Sequence, residues 1–124
     1  MKTKINEFTI NGKVYVEKGT EQTQAPLKDG MKYCIVRTYS AGVFAVYVES
    51  RNGQEGVIRK SRRLWYWSGA ASLSQLAVDG TCKPNECKFP CEVDTTELTN
   101  IIEVIPCTEK AKKSIEGVKV WEQK

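Results

Sequence analysis

The chain contains no histidine, and this absence excludes several kinds of active site. A Ser-His-Asp triad, a Cys-His nucleophile pair and a zinc site with mixed cysteine and histidine ligands all need the missing imidazole. Histidine is also the side chain used most often as a general base. No pair of carboxylates has a spacing that indicates acid–base catalysis in its place. We therefore expect a binding protein and not an enzyme.

Long hydrophobic runs are absent as well. No apolar stretch approaches the roughly 18 residues of a membrane span. The opening residues, MKTKIN, lack the apolar segment of a secretory signal peptide. These two absences predict a cytoplasmic protein without a membrane partner.

Cysteine occurs five times, but the chain has no C-x2-C pair. In a cytoplasmic protein such cysteines are more often free thiols than disulfides. The sequence leaves open whether four of them hold a zinc ion, namely Cys82, Cys87, Cys91 and Cys107. The spacing is awkward for such a site, so we expect neither a metal nor another cofactor.

The size and charge of the chain set broad limits on what it can be. A length of 124 residues suits one domain, and such a domain can bury a core without disulfides or a metal. The formal net charge of +4 is mildly basic. It favours anionic partners without requiring nucleic acid.

The first thirty residues predict a small addition to the main domain. Asn11-Gly12 lies between alternating apolar residues over positions 8–16, which is a strong signal for a β-hairpin. The polar stretch 17–29 contains glycine and proline and predicts a flexible connector. We therefore divide the chain into residues 1–30, a hairpin and linker, and residues 31–124, a core domain.

The core domain carries the pattern of an antiparallel meander. Strands are expected over 31–39, 43–49 and 56–60, with Asn52-Gly53 forming the turn between the last two. Further strands are expected over 88–93, 101–105 and 118–121, and helices over 69–78 and 108–117. The predicted fold is α+β, with an antiparallel sheet and two short helices in a single domain.

Residues 62–67 read RRLWYW and contain two of the three tryptophans. In a strand, Arg63, Trp65 and Trp67 would share one face. Ser68 would then cap the following helix, and Gly69 would open a turn whose backbone N–H groups can meet an anion. Tryptophan in a small protein usually packs in the core, and we expect this for at least one of the two indoles.

Arg37 lies within the first predicted strand of the core domain, between two tyrosines. Its guanidinium matches phosphate oxygens and stacks on aromatic rings, although a salt bridge to Glu49 or Asp79 is an equal alternative. The small-residue turn 40–42 would add backbone donors beside it. The candidate ligand-binding residues are Arg37, Tyr39, Ser40, Gly42, Arg62, Arg63, Trp65, Trp67, Ser68 and Gly69.

Four strings carry a family resemblance: MKYCIVRTYSAGVFA at 31–45, RLWYWSGAASLSQLA at 63–77, CKFP at 87–90 and IPCTEKA at 105–111. With them the chain resembles small proteins of unknown function that are encoded by tailed phages and prophages. The resemblance covers about residues 31–121, although family members often have glycine where this chain has Val46. Some phage proteins of this size are sponges that sequester cyclic-nucleotide signals of bacterial immunity, and the chain resembles these sponges.

The resemblance and the residues together predict a non-catalytic phage protein that evades host immunity. It would bind a small phosphorylated nucleotide, such as a cyclic di- or oligonucleotide, in the host cytoplasm. The aromatic candidates would stack on bases and the arginines would meet phosphates. Sponge sites often lie between subunits, so the resemblance implies a symmetric homo-oligomer.

Two other functions stay open at this point. One is a module for single-stranded nucleic acid that uses the same basic and aromatic residues, although nucleic acid is the less favoured partner. The other is an inhibitor of a host protein, with Trp65, Tyr66 and Trp67 as interface anchors.

Overall fold

The structure is a computed structural model that describes residues 7–10, 13–16 and 23–123. Strands β1 (Glu7–Ile10) and β2 (Lys13–Val16) pair antiparallel, at the position where the sequence predicts an N-terminal hairpin. The predicted turn residues between them, and residues 17–22 of the predicted connector, lie outside the described residues.

Five further strands form one antiparallel sheet, and two helices lie beside it. The strands are β3 (Lys32–Thr38), β4 (Val43–Asn52), β5 (Glu55–Arg63), β6 (Glu92–Leu98) and β7 (Ile101–Pro106). The helices are α1 (Leu73–Asp79) and α2 (Glu109–Glu116), with a short 3₁₀ helix at Pro84–Glu86. The strand order is β6-β5-β4-β3-β7, which confirms the predicted α+β fold.

Alternation along β3 divides its side chains between two hydrophobic clusters. Tyr33 and Ile35 belong to the cluster that also contains Leu76 of α1 and Ile115 of α2. Cys34, Val36 and other residues of the opposite face form a second cluster, which contains no helix residue. Successive side chains of β3 thus alternate between the two clusters, and both faces of this strand are buried.

The second cluster is buried because the sheet is strongly coiled. Strands β6 and β7 lie at opposite edges, yet β6 ends at Leu98 and β7 begins at Ile101. Three residue steps of about 3.6 Å span about 11 Å, whereas four strand spacings of about 4.8 Å separate the edges of a flat sheet by about 19 Å. The edges must therefore approach each other at this corner, where Ile101 N–H donates to Gln54 O at 2.9 Å.

A β-bulge in β5 contributes to this curvature. Ala45 pairs with Arg62 and Tyr47 pairs with Arg59, so β5 has one residue more than β4 over this interval. Lys60, within the bulge, has a φ of 52°, in the left-handed region. Bulges of this kind bend a strand and increase its twist.

Two local predictions are confirmed, although the turn of the β4–β5 hairpin consists of residues 53 and 54 and so lies one residue later than predicted. Asn52 pairs with Glu55 across a two-residue loop, and Gly53 in that loop has a φ of 63°. Thr108 caps α2, because its Oγ1 accepts a hydrogen bond from Ala111 N–H at 3.0 Å. Both features depend on neighbouring residues only, which explains why the sequence shows them.

Other local predictions need correction. Strand β5 ends at Arg63, so the aromatic segment after it is not a continuous strand. Helix α1 begins at Leu73, later than predicted, because Ser72 and not Ser68 is its N-cap. The edge strand expected over 88–93 lies instead at Glu92–Leu98, and residues 118–121 contribute one isolated bridge, between Val120 and Phe89.

Residues 23–29, within the stretch for which the sequence predicts a connector, lie against the core domain. Ala25 is buried, and its N–H donates to Cys107 O at 3.0 Å. Gln24 forms an isolated antiparallel bridge with Thr108. This segment is therefore hydrogen-bonded to the chain just before α2.

Arg62 is the buried cation that joins the sheet to the C-terminal part of the domain. Its Nε donates to Pro90 O at 3.0 Å, and its Nη1 donates to Ile115 O at 2.9 Å. Its Nη2 donates to Phe89 O at 3.1 Å and to Val118 O at 2.7 Å. Only 8% of the residue is exposed, and this burial lowers the pKa of Arg62 from its ordinary value.

We expect Arg62→Lys to lower the free energy of unfolding by about 3 kcal/mol or more, because a lysine cannot reach all four carbonyls and leaves buried acceptors unpaired. Urea denaturation measures this loss. Arg51→Lys is the control, since Arg51 is exposed and, among the residues that the structure describes, donates only to Gly53 O within its own hairpin. Equal unfolding midpoints for the two variants would contradict the structural role of Arg62.

Candidate functional site

The sequence-predicted arginines lie in three different environments. Arg62 already donates to four main-chain carbonyls, so its guanidinium is not presented to solvent. Arg37 is exposed, and its Nε lies 2.8 Å from Glu103 Oε1 on the neighbouring strand β7. The ion-pair partner of Arg37 is therefore Glu103, and not Glu49 or Asp79 as the sequence suggested.

Arg63 projects from the face of the sheet opposite to Arg37. It pairs with Phe44, and its Cζ lies 4.6 Å from the centroid of the Phe44 ring. Its Nη1 donates to Ala41 O at 2.8 Å, in the turn between β3 and β4. The structure therefore brings Arg63 to this turn but does not place the three arginines around one anion.

The turn between β3 and β4 holds three more of the predicted residues: Tyr39, Ser40 and Gly42. Tyr39 is 81% exposed, and Ser40 Oγ accepts a hydrogen bond from Asn100 Nδ2 at 2.8 Å. The N–H of Ala41 donates to Thr38 Oγ1 at 2.9 Å, so this donor is used within the turn. The corner therefore carries the exposed Tyr39 ring, and it accepts a hydrogen bond from Arg63 at Ala41 O.

Ser68 and Gly69 lie in a tight junction with the loop that follows α1. Ser68 O accepts from Thr81 Oγ1, and Gly69 O accepts from Cys82 N–H at 3.2 Å. Gly69 has a φ of 85°, and a Cβ there would lie 2.5 Å from Lys83 N. A glycine is required at this position by the close approach of two backbone segments.

The start of α1 uses its own side chains to satisfy its backbone donors. Ser72 Oγ accepts from Gln75 N–H at 3.2 Å, and Gln75 Oε1 accepts from Ala71 N–H at 2.7 Å. The sequence predicted an anion-binding site at this helix start. Some of the backbone N–H groups there already donate to side chains of the protein itself.

The two neighbouring indoles have different surroundings. Trp65 is 64% exposed, whereas Trp67 is partly buried against the core cluster between the sheet and the helices. The expectation that at least one of them packs on the core is confirmed.

Sequence reasoning did not place Lys88 or Trp121 among the ligand-binding residues, yet these two form an exposed cluster with Tyr66. Lys88 Nζ lies 5.9 Å from the centroid of the Tyr66 ring and 5.6 Å from that of the Trp121 ring. Tyr66 is 51% exposed and Trp121 is 38% exposed. We call these three residues the aromatic–lysine patch.

Main-chain hydrogen bonds hold the aromatic–lysine patch together. Tyr66 and Lys88 exchange two backbone bonds, of 3.2 and 2.8 Å, and Trp121 N–H donates to Phe89 O at 3.0 Å. Three distant segments of the chain thus meet here. In the sequence, the third tryptophan, Trp121, and the interface-anchor candidate Tyr66 were the signals for this patch.

A cavity of about 330 Å³ lies beside the patch. It is lined by Pro84, Asn85, Cys87, Lys119, Val120, Trp121 and Glu122. Trp121 is shared between the patch and the wall of this cavity. Patch and cavity together carry aromatic rings, the ammonium groups of Lys88 and Lys119, the amide of Asn85 and the carboxylate of Glu122.

The five cysteines do not form a metal centre. Among residues 7–10, 13–16 and 23–123, no three or more cysteines and acids come together as metal ligands. All five thiols are free; Cys82 and Cys91 are exposed, and the other three are buried. Burial raises the pKa of the Cys107 thiol to about 12, and burial also raises the pKa of Cys34.

One family model matches this chain over residues 31–115, and its description is domain of unknown function, DUF6948. No curated protein and no solved structure matches the chain. Within the described ranges, no helix combines the length and the hydrophobicity that crossing a bilayer requires.

We expect iodoacetamide to alkylate Cys82 and Cys91 in the native protein and to spare Cys34 and Cys107. The reactive species is the thiolate, and buried thiols with a raised pKa are protonated at mildly alkaline pH. Peptide mass spectrometry measures the labelling, with urea-unfolded protein as the control in which all cysteines react. Rapid native labelling of Cys107 would contradict its burial.

Gly69→Ala and Gly30→Ala separate backbone strain from steric overlap. Both glycines have positive φ, 85° and 79°, but at Gly30 no atom lies within 4 Å of the position that a methyl group would take. Gly30→Ala is expected to cost about 1 kcal/mol for the left-handed backbone alone. Gly69→Ala is expected to cost a further ~1–3 kcal/mol because neighbouring backbone must shift. Equal losses in urea denaturation would show that the junction at Gly69 is loose.

Proposed function

The chain belongs to the DUF6948 family of domains of unknown function, and we propose that it binds a phosphorylated nucleotide without changing it chemically. The observation that carries this proposal is the position of Lys88 Nζ near two exposed rings, those of Tyr66 and Trp121. A nucleotide has the two complementary parts, a flat base and an anionic phosphate.

The rings of the patch supply the stacking surface. Each base that stacks on an aromatic side chain contributes about 1–3 kcal/mol, and every base has a π-face, so stacking by itself gives affinity without choice of base. The exposed areas of Tyr66 and Trp121 are consistent with this use. A partly exposed aromatic side chain also contributes less to the hydrophobic core than a buried one does.

The ammonium of Lys88 supplies the charge. Within the part of the chain that the structure describes, Lys88 forms no ion pair with a carboxylate. Its positive charge faces aromatic rings instead and can interact with a phosphate. The net charge of +4 favours the same class of ligand at longer range.

The finer proposal follows the phage resemblance described above. In it, the protein is phage-encoded and sequesters a cyclic di- or oligonucleotide that signals infection in the host cytoplasm. Binding without catalysis suffices for this role, which is in keeping with a chain that has no histidine. A symmetric homo-oligomer would place two patches on one ligand and raise the affinity.

A second candidate function is binding of single-stranded nucleic acid. Two further aromatic side chains, Tyr39 and Trp65, are exposed outside the patch, at 81% and 64%. Separate stacking positions along a surface suit a strand of several nucleotides. A steep fall of affinity with salt, on long strands only, distinguishes this function from binding of a small nucleotide.

Calorimetric titration with cyclic di- and trinucleotides and with oligo(dT) tests the proposal. We expect Trp121→Ala and Lys88→Gln to weaken binding of a cyclic nucleotide by roughly 10-fold or more, as loss of a stack or of a charge contact implies. The melting temperature without ligand should change little for Lys88→Gln, since its side chain is at the surface.

Trp65→Ala and Arg37→Ala are the matched controls, because they remove an exposed indole and an exposed guanidinium outside the patch. Both should retain wild-type affinity. If these two variants lose binding while the patch variants retain it, the ligand occupies the sequence-predicted residues and the patch is not the site. Binding of oligo(dT) alone would support the second candidate function.

A further inference from the structure

A second cavity, of about 460 Å³, lies where residues 24–27 meet the start of β3, the end of β7 and helix α1. None of the described residues that line it belongs to the aromatic–lysine patch or to the cavity beside Trp121. We infer that this second cavity is a binding site for a small apolar molecule that carries one carboxylate. The inference goes beyond the proposed function and does not depend on it.

Hydrogen bonds to main-chain carbonyls hold the segments around this cavity in place. Ala25 N–H donates to Cys107 O at 3.0 Å, and Cys107 N–H donates to Tyr33 O at 3.0 Å. On the helix side, Thr108 Oγ1 donates to Val78 O at 2.6 Å. The protein's own hydrogen bonds therefore form the walls, so little ordering of the chain is needed when a ligand enters.

The lining of the cavity is mainly hydrophobic. Ala25, Tyr33 and Cys107 are buried, whereas Leu27 is 60% exposed and Val78 is partly exposed. Apolar atoms of a ligand would remove the exposed apolar surface from water, which is favourable in proportion to the area covered. The volume also lies within the range of ligand pockets, which is about 300–1,000 Å³. The body of the ligand is therefore apolar.

The charge at the cavity favours an anion. Lys32 lines it and is exposed, and none of the described residues that line it is an aspartate or a glutamate. Within the described ranges, Lys32 forms no ion pair with a carboxylate. This cavity thus differs from the one beside Trp121, whose wall contains a carboxylate as well as an ammonium.

The Lys32 ammonium can meet a ligand at the mouth of the cavity without pointing into it. It lies at the end of a flexible four-carbon stem, which packs on apolar surface while the charge stays in water. One ammonium balances one negative charge. A carboxylate carries one such charge, whereas a phosphate monoester carries about 1.5 to 2 at neutral pH. An apolar carboxylate therefore fits this site better than a phosphorylated ligand does.

Calorimetric titration with octanoate tests the inference, and octylammonium is the probe of opposite charge. We expect saturable binding of octanoate below roughly 10 mM, and binding of octylammonium at least about 3-fold weaker. Leu27→Ala should weaken octanoate binding roughly 3- to 10-fold, because apolar contact is lost. Lys32→Gln should weaken it roughly 2- to 5-fold, as loss of a partly exposed charge pair implies.

Lys28→Gln is the matched control, because Lys28 is an exposed lysine of a neighbouring turn that does not line the cavity. It should retain wild-type affinity for octanoate. Val78→Trp should abolish octanoate binding, since an indole would fill the cavity. Leu27→Ala and Lys32→Gln replace exposed side chains and should leave the melting temperature unchanged, so the test holds even if Val78→Trp does not fold.

The outcomes also separate this inference from the proposed function. Absence of saturable octanoate binding, or equal binding of octylammonium, would overturn the inference. So would unchanged octanoate affinity in both Leu27→Ala and Lys32→Gln, because the ligand would then lie elsewhere. Trp121→Ala should retain octanoate binding, and a protein that binds octanoate but no nucleotide overturns the proposed function alone.

Discussion

The insertion of the Arg62 guanidinium between the sheet and the C-terminal segments is the interaction on which the rest of the structure depends. Its four hydrogen bonds reach carbonyl groups of two segments that are far apart in the sequence. One is residues 89–90, and the other runs from the end of α2 to Val118. A guanidinium is suited to this position because it has five N–H donors in a fixed plane and remains charged despite burial. Phe89 O and Ile115 O also accept backbone N–H groups, from Trp121 and Val118, so the loss of Arg62 would deprive chiefly Pro90 O and Val118 O of a donor.

The same interaction determines where the aromatic–lysine patch forms. Arg62 holds the segment with Phe89 and Pro90 against the end of β5, and Lys88 precedes that segment directly. Val118 is held by the same guanidinium, three residues before Trp121. The patch therefore lies at the outer side of a junction whose inner side is the buried arginine. A ligand that stacks on the patch would bind next to segments that the Arg62 hydrogen bonds already hold in place, so less ordering is needed on binding.

The three arginines show why residue type alone did not predict where their guanidinium groups lie. Arg62 and Arg63 are adjacent in the chain, yet one is buried against carbonyls and the other lies on Phe44 at the opposite face. Alternation in a strand predicts that neighbours point in opposite directions. It does not predict which face of the sheet is covered by helices and which is exposed to solvent. Nor does it predict that Arg37 forms an ion pair with Glu103, because β7 is far from β3 in the sequence.

Local sequence patterns were sufficient to predict the α+β class, the strand at β3, the hairpin at Gly53 and the cap of α2, because each of these depends on residues within one turn or one strand pair. They placed the start of α1 at the wrong serine, since two capping residues compete there and only packing decides between them. The coiling of the sheet and the contacts among Tyr66, Lys88 and Trp121 became visible only in the folded domain. These residues come together through backbone pairing between distant segments, and local periodicity carries no information about contacts that hydrophobic burial and the Arg62 hydrogen bonds select.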